Sequence, residues 1–211
     1  MDYSDIVAFH GHECPGLTIG YRMACTAMRA LNSVASAVPV ACCGVSERMP
    51  NDCTLRIEDS PQLAAESFNA DRSSDEELVA IVENNACGVD ALQCVSGCTF
   101  GKGNLIFRDY GKQVFTLYSR RSKKAVRVVF HGKGVPEHLR EDRSARARYI
   151  LEAPEESILS WSEAVIDEPE AARISKSIAC VICGEYVMES RLRQVDGNLI
   201  CIPCAEMRNE R

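Results

Sequence analysis

Apolar positions fall at helical spacing over residues 15–32, where Leu17, Ile19, Tyr21, Met23, Ala24, Ala27, Met28 and Leu31 form one stripe. The spacing predicts an amphipathic helix with that stripe in the core. Residues 3–10 read as a short helix leading into it. Further on the pattern changes. Val38 to Val45 is apolar and β-branched, as a strand would be, and after the polar turn Met49-Pro50-Asn51-Asp52 the segment Cys53 to Ile57 alternates like a half-buried strand. Ser73-Ser74-Asp75-Glu76-Glu77 has the serine and early acids of a helix start, but Leu78 to Glu83 is a nearly continuous apolar run. The expectation is a helix start running into a buried strand.

Residues 87–99 wrap as a helix that lines up Cys87, Asp90, Ala91, Cys94 and Cys98 on one face, at steps of three and four. Asn104 to Phe107, Val114 to Tyr118 and Ala125 to Phe130 read as three strands. The polar turns between them suggest an antiparallel meander. Residues 135–166 look helical. Asp167-Glu168-Pro169-Glu170 is acidic and carries a proline, which marks a boundary. Together these elements predict an α+β core with an antiparallel-rich sheet over 1–166, a linker over 167–177 and a small C-terminal domain over 178–211.

Composition narrows the class. The chain has 211 residues, 46% hydrophobic and 26% charged, with a net charge of -6. That balance suits a folded globule and argues against bulk affinity for nucleic acid or an anionic membrane. There is no run of about 18 apolar residues to span a bilayer and no basic start of a signal peptide, so a cytoplasmic location and no membrane partner are expected. Locally the charge reverses: between Arg108 and Arg148 basic residues outnumber acidic ones twelve to four. A solvated face guarding sheet edges explains that stretch more economically than an anionic partner. His131 and His138 read as surface histidines.

Twelve cysteines change the picture most. In a reducing compartment cysteines more often bind metal or do redox chemistry than form bridges. Cys180 and Cys183, then Cys201 and Cys204 after seventeen residues, form a C-x2-C…C-x2-C pattern. This spacing reads as a four-thiolate tetrahedral zinc site. Gly184 completes a knuckle, Tyr186 to Val195 with Asp196-Gly197-Asn198 gives a hairpin and its turn, and the second pair opens a short helix, as in treble-clef fingers. About 35 residues cannot bury a core alone, so zinc would supply the folding energy. The finger lacks a strong basic footprint, so a structural or protein-contact role is expected over nucleic-acid binding.

The second candidate is Phe9-His10-Gly11-His12-Glu13-Cys14-Pro15-Gly16, which holds two of the four histidines. Pro15 suits the first helical position, which puts Cys14 at a helix N-terminus, where the dipole favours a thiolate. His10 and His12 lie close by in the chain. The cluster is either a metal site, on His10, His12 and Cys14 with Cys87 of the later stripe as a further candidate ligand, or an activated nucleophile, with Cys14, Asp90 and Lys102 as its catalytic group. Cys42, Cys43 and Cys53 could join a metal, but fit better as small buried hydrophobes. Gly101-Lys102-Gly103-Asn104 lacks the spacing of a phosphate loop.

Residues 9–22, together with Val-Glu-Asn-Asn-Ala-Cys-Gly-Val-Asp-Ala-Leu-Gln (82–93) and Gly-Cys-Thr-Phe-Gly-Lys-Gly-Asn-Leu (97–105), resemble the FmdE family, which takes its name from formylmethanofuran dehydrogenase. The trailing finger resembles the zinc domain of its longer members. The resemblance implies an α+β core, a homodimer, and a cleft where His10, His12 and Cys14 face Cys87 and Asp90. It also implies an association with the oxidoreductase that reduces carbon dioxide onto methanofuran. Residues 33–72 read as an insertion relative to that pattern. The functions it leaves open are one-carbon, acyl or redox-related chemistry at a second zinc, support of a partner oxidoreductase, and a zinc-finger regulator with a ligand- or metal-sensing core. An enzyme site should leave one metal position open; a storage or structural site should be closed by four protein ligands.

Overall fold

The computed structural model describes residues 2–36, 72–73, 75–172 and 174–209. The two strands expected over 38–45 and 53–57, with Cys42, Cys43 and Cys53, lie outside the described residues. The chain divides into two compact units, 1–171 and 172–211.

The first unit begins with helix α1 (Tyr3–His10), started by an Asp2/Asp5 capping box and stopped by Gly11 at φ 92°. Helix α2 (Pro15–Ser36) follows. The run at Leu78–Val82 is strand β1, and helix α3 (Gly88–Ser96) crosses to strand β2 (Leu105–Phe107). Strands β3 (Val114–Ser119) and β4 (Lys124–Phe130) form a hairpin. Helices α4 (Arg143–Glu152) and α5 (Glu155–Ile158) then lead into strand β5 (Leu159–Ala164). The sheet order is β2-β1-β3-β4-β5.

Three expectations change. The three-strand meander is only partly formed: β3 and β4 are antiparallel neighbours, but β2 runs parallel to β1 on its other side, with Ala80 opposite Leu105. Helix α3 is the crossover connection that a parallel pair requires. The segment 159–164 is strand, not helix. Leu159 pairs with Phe130 and Ala164 with Ala125, so it closes the sheet at β4. Residues 75–77 form bends, not a helix. The Ser73 hydroxyl lies 2.8 Å from the Asp75 carbonyl and 2.9 Å from the Glu77 carboxylate, either of which can take its one proton, and it accepts the Leu78 N–H at 3.3 Å, so the serine closes a loop ahead of β1.

The core lies on one face of the sheet. Ala80, Val82, Phe115, Leu117, Val126 and Val128 pack with Ile6 of α1, Leu17, Met23 and Met28 of α2, Leu92 of α3 and Ile150 of α4. Arg22 ties α2 to α4: its guanidinium donates to the carbonyls of Ile150, Leu151 and Ala153, which the helix end leaves unpaired. The opposite face holds a small cluster of Val79, Tyr118 and Ala125. Arg120 donates to the carbonyls of Pro169 and Glu170, so the chain stays with the core to Ala171. No helix of the described residues is long and apolar enough to cross a membrane.

In the second unit, β6 (Ser177–Ala179) pairs with β7 (Tyr186–Met188), and β8 (Leu192–Val195) pairs with β9 (Asn198–Cys201) ahead of helix α6 (Ile202–Asn209). The hairpin turn at Asp196-Gly197 has positive φ at both residues, 49° and 77°, as a tight β-hairpin of right-handed twist requires. Tyr186–Met188 belongs to the strand pair before that hairpin rather than to the hairpin itself.

Candidate metal centres

Three helix ends meet in the first unit. His10 is the last residue of α1, Cys14 immediately precedes Pro15 of α2, and Cys87 is the N-cap of α3. The loop 83–87 delivers Cys87 from the carboxyl end of β1, where crossover units commonly hold ligands. Asn84 shapes that loop: its carbonyl oxygen accepts the Ala86 N–H at 3.0 Å and its amide donates to the Lys112 carbonyl at 2.6 Å. Glu83 beside it is buried, with its carboxylate on Arg127 of β4. A Cβ on Gly20 would stand 2.2 Å from the Cα of Gly88, so α2 and α3 cross with their backbones in contact. Cys14 and Cys87 lie just ahead of that crossing, at the starts of the two helices.

One ligand atom from each of His10, Cys14 and Cys87 lies within 4.8 Å of the others. His10 Nδ1 is 2.7 Å from Asp90 Oδ2. A carboxylate can only accept, so Nδ1 carries the proton and the lone pair of Nε2 faces the sulfurs. Nε2 is 4.0 Å from Cys14 Sγ. Zinc bond lengths of about 2.0 and 2.3 Å to nitrogen and sulfur put tetrahedral ligand pairs about 3.6–3.8 Å apart, so the three atoms fit an ion. Cys14 Sγ also accepts the Leu17 N–H at 3.4 Å. Burial, and then the adjacent Cys14 sulfur, push the Cys87 thiol up. Two crowded sulfurs of this kind are what a cation between them would relieve.

The other expected residues fall differently. His12 is exposed, its ring 4.7 Å from the ring of His10 and outside the three-atom cluster. Asp90 stands behind His10, as a carboxylate behind a metal-binding imidazole does. Lys102 donates its amine to the Ser73 carbonyl at 3.1 Å. Cys98 does not share the α3 face: Gly97, at φ 74°, ends the helix, and Cys98 is fully buried beyond it. Sequence reasoning gives no role to Gly20, Gly88, Asn84 or Gln93. The Asn-Asn pair and the glycines are visible signals, but the partners they meet lie far away in the chain.

In the second unit Cys180, Cys183, Cys201 and Cys204 bring their sulfurs within 4.8 Å of one another. Cys183 and Cys201 are 3.9 Å apart, close to the tetrahedral spacing above. Gly184, at φ 77°, turns its N–H onto the Cys180 carbonyl at 2.9 Å and forms the knuckle. Backbone N–H groups of Cys183 and Cys201 face the Cys180 sulfur and hold its thiol at about 6. The donor set and spacing fit zinc.

These features define an α+β protein with a His/Cys cluster where three helix ends converge, followed by a four-cysteine zinc finger. The chain belongs to the FmdE family: the family model described as "FmdE, Molybdenum formylmethanofuran dehydrogenase operon" matches residues 9–50 and 61–172. That match runs through most of 33–72 and skips only 51–60, so the expected insertion shrinks to that gap. The model of the prokaryotic DksA/TraR C4-type zinc finger matches 173–209. A probable S-adenosyl-L-methionine-binding protein of Archaeoglobus fulgidus is 29% identical over 223 residues, covering 93% of this chain. The chain spans about half of that relative's length (50%). The crystal structure of a tungsten formylmethanofuran dehydrogenase FmdE-like protein from Syntrophus aciditrophicus shares the fold, with a TM-score of 0.60 at 23% identity over 96% of this chain and 89% of that one.

Proposed function

We propose that the core holds a second metal ion on His10 Nε2, Cys14 Sγ and Cys87 Sγ, and presents its remaining coordination position to a small molecule. The observation that carries this reading is the convergence of these three atoms within 4.8 Å at three helix ends, with Asp90 fixing the imidazole from behind. Two sulfurs and one imidazole suit zinc or a neighbouring late transition metal. Three protein ligands are the number that leaves a place for water or substrate. A metal bound there would supply Lewis acidity toward a carbonyl or a water. The chain's own groups do the rest. Asp90 keeps the proton on Nδ1, the two helix N-termini favour the negative sulfurs, and the Gly20–Gly88 crossing holds the sulfurs together. One-carbon or acyl chemistry, and support of a partner oxidoreductase, are both uses of such an open position.

Metal content per chain tests this reading. Protein purified without chelators carries two metal equivalents, and Cys14→Ala carries one. Two equivalents in Cys14→Ala, or one in the parent protein, would overturn it.

A second reading concerns the ligand. The relative described as a probable S-adenosyl-L-methionine-binding protein aligns with 93% of this chain. The amino or the carboxylate group of that molecule would fill the remaining coordination position of a metal held by three protein ligands. Calorimetric titration with S-adenosylmethionine then shows binding that Cys14→Ala abolishes; heat that is equal in both proteins excludes this mode.

A further inference from the structure

We infer that Gln93 is a positioning residue for the core centre, holding Asp90 in place behind His10. The inference rests on the reading of His10, Cys14 and Cys87 as metal ligands and extends it outward by two residues. Cys87, Asp90 and Gln93 follow one another at steps of three from the N-cap of α3, so each neighbours the next on the helix surface. Asp90 uses its two oxygens separately. Oδ2 meets His10 Nδ1 at 2.7 Å, and Oδ1 accepts from Gln93 Nε2 at 3.4 Å. The other end of the Gln93 amide accepts the Phe100 N–H at 3.3 Å.

The Phe100 contact decides the orientation of the amide. A backbone N–H can only donate, so the carbonyl oxygen of Gln93 must face Phe100, and the NH2 group must then face Asp90. The backbone at Phe100 is itself anchored. The Thr99 N–H donates to the Asn104 side chain at 2.9 Å, and the Lys102 N–H donates to the Thr99 hydroxyl at 3.2 Å. Asn104 is buried and donates to the carbonyls of Asp75 and Leu78. The relay therefore runs from fixed backbone through Gln93 and Asp90 to the imidazole. Asp90 needs the support: its side chain is 38% exposed, while that of His10 is 11% exposed. Without a donor on Oδ1 the carboxylate can turn toward water and release the ring.

Gln93→Glu separates this role from simple support of the loop. The new carboxylate still accepts the Phe100 N–H, but cannot donate to Asp90 and repels it. Cobalt(II) titration of the metal-free 211-residue chain, followed by absorption, reads both sites, and the core site is identified as the one lost in Cys14→Ala. We expect Gln93→Glu to weaken core cobalt binding at least tenfold, the scale of outer-sphere losses, to shift the core thiolate–cobalt bands and to raise the pH at which the core site half-fills. Gln93→Met removes both hydrogen bonds and should weaken binding with a similar spectral shift, which covers the case in which Gln93→Glu does not fold. Parent-like affinity and spectrum in a folded variant, alongside weakened binding in Asp90→Asn, would overturn the role of Gln93. Parent protein that takes up cobalt only at the four-cysteine site would overturn the metal reading itself.

Discussion

One residue type does two jobs in the first unit. Cys14 and Cys87 stand at helix ends with other donor atoms around them, whereas Cys25 and Cys98 are packed into the core. Burial pushes the Cys25 and Cys98 thiols up to about 11. Both stay protonated in the fold while their counterparts in the unfolded chain ionise near 9. A folded pKa above the unfolded one gives stability that is complete below pH 9 and is lost as pH rises toward 11. Each thiol contributes up to about 3 kcal/mol to that loss, at about 1.4 kcal/mol per pKa unit. Urea midpoints between about pH 9 and 11 should therefore fall steeply, and less steeply in Cys98→Ala; parallel curves would refute the assignment. Sequence alone could not separate the two kinds of cysteine. A thiol is both a small hydrophobe and a ligand, and only Gly97, which ends α3 before Cys98, places it among the former.

The elements explain how the ligands come together. Helices α2 and α3 cross where each carries a glycine, and the sulfurs sit close before that point. Added at Gly20, a Cβ would meet the Cα, carbonyl carbon and oxygen of Gly88 at 2.2–2.5 Å. All three are backbone atoms, so the helices must separate. Gly20→Ala should cost about 3 kcal/mol or more, at the upper end of overpacking losses. Its distinguishing effect is a larger Cys14–Cys87 separation, read as loss of the core metal from variant protein that still folds at low temperature. Full metal retention would show that the crossing does not set the site. The two helices, β1, the β3–β4 hairpin and the zinc-finger pattern are all legible in the sequence, because each is written in local periodicity or spacing. The parallel pairing of β2 is not, since it depends on where α3 lays the chain down after the crossover. Leu159–Ala164 escapes sequence reasoning for a related reason. As an edge strand it buries little beyond Leu159, so neither alternation nor a continuous apolar run marks it.

At the scale of the whole molecule the two units differ in what holds them together. The first owns a broad apolar core. In the second, the buried cluster consists of Cys180, Ile200, Cys201, Cys204 and Ala205, so three of its five members are ligands. Ile200, Ala205 and the barely exposed Leu192 are too little apolar surface to order a unit of about 40 residues, a length at which a metal or disulfide is usually needed. Zinc binding to such a module is worth about 10–16 kcal/mol in apparent free energy, and that binding is its folding energy. Removing zinc should thus unfold 177–209 and leave the first unit's helices and sheet intact. Hydrogen exchange should show β8, β9 and α6 losing protection after chelation or in Cys201→Ser, while β1, β3 and β4 keep theirs. Unchanged protection in β8 and β9, with metal analysis confirming that the zinc is gone, would mean that the apolar contacts around Ile200 suffice. Loss of protection in β1 and β3 on Cys201→Ser alone would mean that the core depends on the finger.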